Sequence, residues 1–172
     1  IGCGIAASVS DRYGRRAGLL LASAIFTLSS LAMALATGRD MFIAARCMAG
    51  IGVGMACMLS PMYIAEIAPA HLRGRMVAIN QLTVVIGILV TNIINYTLRN
   101  SGDDAWRWMF GLGAVPSTLF IIGAWWLPES PRWLVQAGKT TQATAVLSKI
   151  GDKLFAQNSV QAIQQSLQGN NK

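Results

Sequence analysis

One arginine inside an apolar run is the residue of this chain whose position most clearly requires a partner. Arg46 lies in the run from Met41 to Ala65, which is long enough to cross a bilayer, because a spanning helix needs ~20 apolar residues. A charge at that depth costs roughly 2.5–3.5 kcal/mol on insertion scales. We expect Arg46 either to pair with an acid on another helix or to extend its side chain to the nearer membrane surface. The apolar runs contain no acid, so such a partner would lie elsewhere in the protein.

A stripe of mainly polar residues lies along one face of the predicted helix over residues 76–98. Gln81, Ile88, Asn92 and Asn95 fall within about 60° of one helix face, and the stripe extends ~21 Å along the axis. Polar residues in a membrane helix face a bundle interior or a wet cavity, and amides suit a hydroxyl-rich solute because they donate and accept hydrogen bonds. The alternative is that these amides only join neighbouring helices, typically at ~0.6 kcal/mol per bond.

The elements that must position these residues are membrane helices. Of the 172 residues, 53% are hydrophobic and only 12% are charged, whereas a soluble domain has about 25% charged residues. The chain does not begin with Met, and its first apolar stretch is too short to span, so we interpret it as a fragment that begins inside a helix. The predicted elements are a helix end at 1–9 and complete spans at 17–36, 41–65, 76–98 and 108–127.

The composition changes after residue 127. The segment PESPRWLVQAGK is charged and bounded by proline, and Thr140 to Ile150 places apolar residues at helical spacing, which predicts a short amphipathic helix. We therefore predict a transmembrane bundle over 1–127 and short cytoplasmic helices over 128–172. Pro116 lies in the middle of the last span, where it can kink the helix.

The basic residues predict the orientation, because cytoplasmic loops carry an excess of Lys and Arg. Three of the 14 basic residues follow or precede the spans on one side, namely Arg39, Arg99 and Arg107. Ten lie on the other side, which we predict to be cytoplasmic: Arg12, Arg15, Arg16, Arg73, Arg75, Arg132, Lys139, Lys149, Lys153 and Lys172.

Other classes of function find little support. The basic residues lie at the ends of apolar runs and not on an amphipathic surface, which argues against nucleic-acid binding. Cys3, Cys47 and Cys57 lie in apolar runs without the spacing of a disulfide framework or a metal site. His71 is the only histidine and has no nucleophile beside it. We expect no enzyme activity, no cofactor and no metal.

The glycines of GIGVG, residues 50–54, lie inside a predicted span. A dinucleotide-binding loop would follow a strand, and none is predicted here. Gly50 and Gly54 instead form a small-xxx-small pair, which lets membrane helices approach closely. We therefore expect these glycines to pack against a neighbouring helix.

Several motifs in order now resemble one family. DRYGRR between two spans is similar to the cytoplasmic loop of the major facilitator superfamily. An ordered set of further motifs resembles the sugar porter branch of this superfamily, and within that branch the bacterial xylose–proton symporters. These motifs are Arg46 with GIGVG, PMYIAEIAP, LRGR, the Asn80-Gln81 pair, WRWMF and PESPRWL.

The resemblance implies an all-α, polytopic membrane helix bundle. Residues 1–9 would be the end of helix 2, and the four spans would be helices 3 to 6 of the N-terminal six-helix half of a twelve-helix transporter. Residues 128–172 would begin its intracellular helical domain. The two halves would rock about a central sugar site in alternating access.

The resemblance also implies roles for residues. It places Gln81 at the sugar, and the stripe adds Ile88 and Asn92 to the predicted sugar site. Ile88 stands where the xylose symporters have a second glutamine, which leaves hexoses as well as pentoses open. Arg46 matches the arginine that pairs with a helix 1 aspartate in proton-coupled members.

The resemblance further implies that a cluster of mostly charged residues joins the two halves on the cytoplasmic side when the carrier opens outward. The alternative is that its basic residues only set the topology. We call it the gating cluster, and its members are Asp11, Arg12, Gly14, Arg15, Arg16, Glu66, Arg73, Gly74, Glu129 and Arg132. Gly14 also suits a tight turn.

The predicted function is thus secondary active transport of a monosaccharide across the bacterial inner membrane, coupled to proton symport. Its partners would be the sugar, protons, the lipid bilayer and the C-terminal half of the same protein. The alternatives are a facilitative sugar carrier without coupling and a transporter-like nutrient sensor.

Overall fold

The computed structural model describes residues 1–69, 71–100, 102, 104–148 and 153–169, and all regular structure in this part of the chain is α-helical. Ile150, the last residue of the predicted amphipathic helix, and the basic residues Lys149 and Lys172 lie outside the described residues. The helices are α1 Gly2–Tyr13, α2 Arg15–Ala34, α3 Arg39–Ile67, α4 Arg73–Leu98, α5 Ala105–Gly111, α6 Ala114–Trp125, α7 Pro131–Gln136, α8 Thr140–Leu147 and α9 Lys153–Gly169.

Four of the described helical segments are long and apolar enough to cross a membrane, which is the number of spans predicted: α2, α3, α4, and α5 with α6. Each begins two or three residues earlier than its apolar run. Arginine opens three of them, at Arg15, Arg39 and Arg73. Arginine is a good helix former, so each of these three helices begins before its apolar run does.

The last span is interrupted one turn before Pro116. Gly111 ends α5 and Ala114 begins α6, with tight bonds from Gly113 N to Phe110 O and from Val115 N to Leu112 O. A proline ring clashes with the carbonyl four residues earlier, which here belongs to Leu112. The predicted disturbance is therefore present, but it falls on the turn before the proline.

Helix α3 has α1 and α2 packed closely on different faces of it. Its glycines allow this closeness. A Cβ on Gly52 would lie 3.0 Å from the carbonyl oxygen of Ala22 in α2, and a Cβ on Gly54 would lie 3.2 Å from the Cα of Gly2 in α1. A Cβ on Gly50 would meet open space, so among the described residues helix packing involves Gly52 and Gly54 and not the predicted pair of Gly50 and Gly54.

The bundle and the last three helices have separate apolar cores. The bundle core joins α1, α2 and α3 through Ala6, Leu19, Ala22, Met55, Leu59 and Tyr63. The second core joins α7, α8 and α9 through Leu134, Val135, Ala143, Leu147, Ala156 and Val160. We call the second group the α7–α9 unit.

Helix α4 differs from the other spans, because none of its residues is buried within the described part of the chain. It packs mainly on α3, and Ser60 of α3 donates a hydrogen bond to Asn80 Oδ1 at 3.0 Å. Most of its surface is therefore open to whatever else surrounds it.

Candidate functional site

Most of the polar contacts between helices lie at one end of the bundle, which we call the basic end. There α1, α3 and α6 finish, α2 and α4 begin, and the α7–α9 unit is attached. Arg15 is its central residue. Its guanidinium donates to both carboxylate oxygens of Glu66, at 3.3 and 3.2 Å, to Asp11 Oδ1 at 3.2 Å, and to the carbonyl oxygen of Ser10 at 3.0 Å.

The Arg15–Glu66 pair is shielded from solvent. Their side chains are 8% and 10% exposed, and Ser130, which is fully buried, donates its hydroxyl to Glu66 Oε2. Ser130 is also the N-cap of α7, where its hydroxyl accepts from the Trp133 amide at 3.5 Å. One buried carboxylate therefore joins the start of α2, the end of α3 and the start of α7.

A second contact ties α2 to α6 through reciprocal capping. Glu129 Oε1 accepts from the backbone N–H of Arg16 at 3.0 Å and of Ser130 at 3.0 Å. In return, the Arg16 guanidinium donates to the carbonyl oxygens of Ala124, at 3.3 Å, and Trp125. Both interactions satisfy backbone groups that a helix end leaves unpaired.

Gly14 makes this capping possible. It has φ of 98°, which confirms the predicted turn, and a Cβ there would lie 2.7 Å from Glu129 Cδ. Only glycine adopts such a backbone without strain. The turn between α1 and α2 thus needs glycine both for its conformation and for the room that Glu129 occupies.

Two further bonds attach the segment after α6. Tyr63 of α3 donates its hydroxyl to the carbonyl oxygen of Pro128 at 2.7 Å. Trp133 of α7 donates its indole N–H to the carbonyl oxygen of Asp11 at 3.0 Å. The α7–α9 unit is therefore fastened to the bundle through polar contacts that converge on its first residues.

The structure thus brings together six members of the gating cluster: Asp11, Gly14, Arg15, Arg16, Glu66 and Glu129. The other members have no acidic partner among the described residues. Arg12 lies over the Tyr13 ring at 5.5 Å, while Arg73 and Arg132 are exposed and form no ion pair in this part of the chain. Gly74 has open space where a Cβ would lie.

The predicted sugar residues lie together on α4 but are not enclosed. Gln81, Ile88 and Asn92 are all exposed. The Asn92 amide donates to the carbonyl oxygen of Ile88 at 3.0 Å, and Asn95 Oδ1 is buried without a hydrogen-bond partner. The stripe is present as a helix face, and no described cavity is built around it.

Arg46 forms no ion pair within the described residues. Its guanidinium carbon lies 5.2 Å from the centre of the Phe110 ring, at the distance of a cation–π contact. Phe110 in turn packs edge-on against Phe42 at 5.1 Å. An aromatic ring on α5, which neither prediction for Arg46 included, thus orients this arginine in the described chain.

Ser130, Tyr63 and Trp133 make contacts at the basic end but were not among the predicted site residues, although they lie within the motifs PMYIAEIAP and PESPRWL. A signal existed for Ser130, because Ser followed by Pro is the start signature of a helix with Pro at its first position. No local pattern indicates the bond from Ser130 to Glu66, which are 64 residues apart. The sequence also does not indicate which backbone carbonyl groups accept hydrogen bonds from the indole of Trp133 and the phenol of Tyr63.

Antiparallel apolar helices, fastened by a buried ion pair at one end and continued by a small helical unit, define an α-helical multi-pass membrane protein. The sequence profile of the family described as "Sugar (and other) transporter" matches residues 1–172. The chain belongs to this family, which confirms the predicted family, and the relatives found are transport proteins and not enzymes.

Individual relatives agree with the family. The chain is 40% identical to a D-xylose-proton symporter of Escherichia coli, over 97% of this chain and 40% of the relative. It is 39% identical to an arabinose-proton symporter of Bacillus subtilis, over 97% of this chain and 37% of the relative. The chain therefore spans about two fifths of the length of these relatives.

A solved structure has the same fold. The partially occluded inward-open conformation of the E. coli xylose transporter XylE matches with a TM-score of 0.94 and 38% identity, over 99% of this chain and 46% of that chain. The all-α membrane architecture is thus confirmed.

Proposed function

We propose that this chain is part of a secondary active carrier that moves a monosaccharide across a bacterial inner membrane together with protons. The observation that carries the proposal is the match, over 97% of this chain, to a symporter named for D-xylose and protons. The arabinose-proton relative supports the same class of substrate. The other partners in this proposal are the lipid bilayer and the remainder of the same protein.

In this proposal the basic end faces the cytoplasm. Residues 1–127 cross the bilayer, and residues 128–172 begin an intracellular helical domain. The separate core of the α7–α9 unit and the excess of arginine at this end support the division. Single cysteines test it: a cysteine at Lys139 should react only from inside, and one at Asp104 only from outside.

The gating cluster would act by forming different contacts in different states. Contacts that exist in only one conformation bias the equilibrium between two conformations. The pairs made by Arg15, Glu66 and Glu129 are internal to this chain, so they would stiffen its basic end. Arg12, Arg73 and Arg132 would supply the contacts to the remainder of the carrier.

The sugar would bind on α4 and the proton coupling would involve Arg46. Gln81 would hydrogen-bond the sugar, with Ile88 and Asn92 on the same face. Ile88 removes one polar contact, so the proposal covers hexoses as well as pentoses. Arg46 would pair with a carboxylate supplied by the remainder of the protein and hold it charged until helix movement separates them.

Uptake by the complete carrier in proteoliposomes tests the proposal. D-xylose, L-arabinose and D-glucose are offered with an imposed proton gradient, and at least one should accumulate above its external concentration until a protonophore is added. Uptake that never exceeds equilibrium would identify a facilitative carrier. Binding without uptake would favour a sensor, and the absence of binding for all three sugars would contradict the proposal.

A further inference from the structure

Helix α4 meets the rest of the described chain near its two ends. It packs on α3, which precedes it, and on α5, which follows it. Every residue from 81 to 93 is exposed in this part of the chain, so the proposed sugar face lies between the two attachments. The half-buried residues of α4 form one group at each end, namely Val77 and Asn80 near its start and Ile94, Asn95 and Leu98 near its end.

The hydroxyl of Ser60 in α3 differs from most other hydroxyls of the described helices. Most of those that form a hydrogen bond donate to a carbonyl oxygen three or four residues earlier in their own helix, as Thr83 and Thr91 do. This is the usual local bond of a serine or threonine in a helix. Ser60 Oγ instead donates to Asn80 Oδ1 on α4, at 3.0 Å, and both residues are half-buried. The bond therefore ties α4 to α3 one residue before Gln81.

The position of this bond matters for the direction of Gln81. Successive residues of an α-helix lie 100° apart around its axis, and a side chain extends to about 6 Å from that axis, so a rotation of α4 by about 20° moves the Gln81 amide about 2 Å. Hydrogen bonds tolerate donor–acceptor distances of only about 2.7–3.2 Å. Such a rotation would separate the amide from a sugar hydroxyl, and the bond from Ser60 to the adjacent Asn80 opposes it.

We propose that Ser60 is a positioning residue for sugar binding, which fixes the rotation of α4 through Asn80 and so directs Gln81. This role depends on the proposed function, in which Gln81 contacts the sugar. Ser60 lies on α3 and outside the proposed sugar face, so its hydroxyl acts on the sugar only through α4. Loss of that hydroxyl should therefore weaken sugar binding only while the Gln81 amide is present.

A double-mutant cycle in the complete carrier tests this role. The probe is whichever of D-xylose, L-arabinose and D-glucose the unaltered carrier binds most tightly, and calorimetry measures its affinity. Ser60→Ala should weaken binding roughly three- to tenfold, as expected for one hydrogen bond. Ser60→Thr retains the hydroxyl and should stay within about twofold. In a Gln81→Ala carrier, Ser60→Ala should cause no further loss, because the two residues act through one contact.

Thr27→Val is the matched control. The hydroxyls of Thr27 and Ser117 lie 2.7 Å apart and join α2 to α6, so this variant also removes a hydroxyl bond between helices, but away from α4. It should change sugar affinity less than about twofold. Equal losses in Thr27→Val and Ser60→Ala would show a general loosening of the bundle and overturn the role.

The Gln81→Ala carrier separates this role from the proposed function. If Gln81→Ala weakens binding but Ser60→Ala does not, or if Ser60→Ala has its full effect without Gln81, only the positioning role is wrong. If Gln81→Ala leaves affinity unchanged, the proposed sugar face is wrong and the role is wrong with it. Thermal unfolding checks that each variant folds. Asn80→Ala removes the same bond from the other helix and replaces Ser60→Ala if that variant does not fold.

Discussion

The basic end and helix α4 both contain polar residues within a membrane protein, but they obtain their partners differently. At the basic end, Arg15 and Glu66 are nearly buried, and Arg15 bonds to Glu66 and to the carbonyl oxygen of Ser10. On α4, Gln81 and Asn92 are exposed and no residue of the helix is buried. Buried polar groups require partners, and Arg15 and Glu66 have theirs within the described residues, whereas the amides of α4 are exposed in this part of the chain.

This difference predicts that variants at the basic end act on folding, and that variants at the uncovered positions act on transport and binding. The largest expected effect is on transport. In the complete carrier, Arg46→Leu should abolish proton-driven accumulation, because no charge then holds a partner carboxylate ionised. Sugar exchange at equilibrium should continue, and uptake in proteoliposomes with and without a proton gradient measures both.

Arg39→Leu is the matched control, since it makes the same change at the exposed start of the same helix. It should leave accumulation intact. Accumulation that survives in Arg46→Leu would mean that the contact with Phe110 is the whole role of Arg46, and that this role is structural.

The next effect is on folding. Glu66→Gln leaves the Arg15 guanidinium buried without its main counter-charge, and breaking such a pair costs roughly 3–5 kcal/mol. Thermal unfolding in detergent should show a large loss of stability. The pair of Arg107 and Asp104, 2.9 Å apart with Asp104 75% exposed, is the control. Asp104→Asn should cost about 1 kcal/mol or less, and equal losses would show that burial does not distinguish the two pairs.

Glycine substitutions test whether the turn depends on Glu129 as well as on its backbone. Gly14→Ala puts a Cβ at positive φ and into Glu129, so it should cost roughly 1–3 kcal/mol and disturb both capping bonds. Gly102 has almost the same φ, 99°, with open space around it. Gly102→Ala should show only the backbone cost of about 1–2 kcal/mol, and a Gly14→Ala loss no larger than this would remove Glu129 from the explanation.

The turn and the spans were open to prediction, because each depends on local sequence. Gly14 in a charged hexapeptide predicts a turn, and four apolar runs predict four helices. The contacts of the basic end depend on distant parts of the chain: Arg15 and Glu66 are 51 residues apart, and only the family resemblance grouped them. The resemblance did not separate Arg73 and Arg132 from Arg15, because motifs do not show which charges are already neutralised.

On α4 the effect should appear in binding alone. Gln81→Ala removes an amide that pairs with sugar hydroxyls in the proposed function, at about 1–3 kcal/mol, which is roughly a five- to hundredfold loss of affinity. Stability should not change, because Gln81 is exposed within this chain. Calorimetry with the complete carrier measures the affinity.

Two variants on the same helix sharpen the test. Asn92→Ala should cost less, since that amide already donates to the carbonyl oxygen of Ile88. Thr83→Ala lies on the opposite face, where its hydroxyl bonds to Ile79 O, and should leave affinity unchanged. If Gln81→Ala binds sugar normally, the polar stripe only joins helices.

The smallest effect concerns the attachment of the α7–α9 unit. Trp133→Phe keeps an aromatic ring beside Lys139, whose ammonium lies 5.6 Å from the indole, but removes the N–H that reaches Asp11 O. One such bond contributes about 0.5–1.5 kcal/mol. Because Ser130 and Tyr63 make further attachments, the loss should increase proteolysis between residues 127 and 131 without unfolding the bundle. Trp108→Phe, at an exposed position of the opposite end, should not change cleavage. If cleavage is equally slow in both variants, the contacts of Ser130 and Tyr63 are sufficient to hold the unit on the bundle, and the bond from Trp133 to Asp11 is redundant.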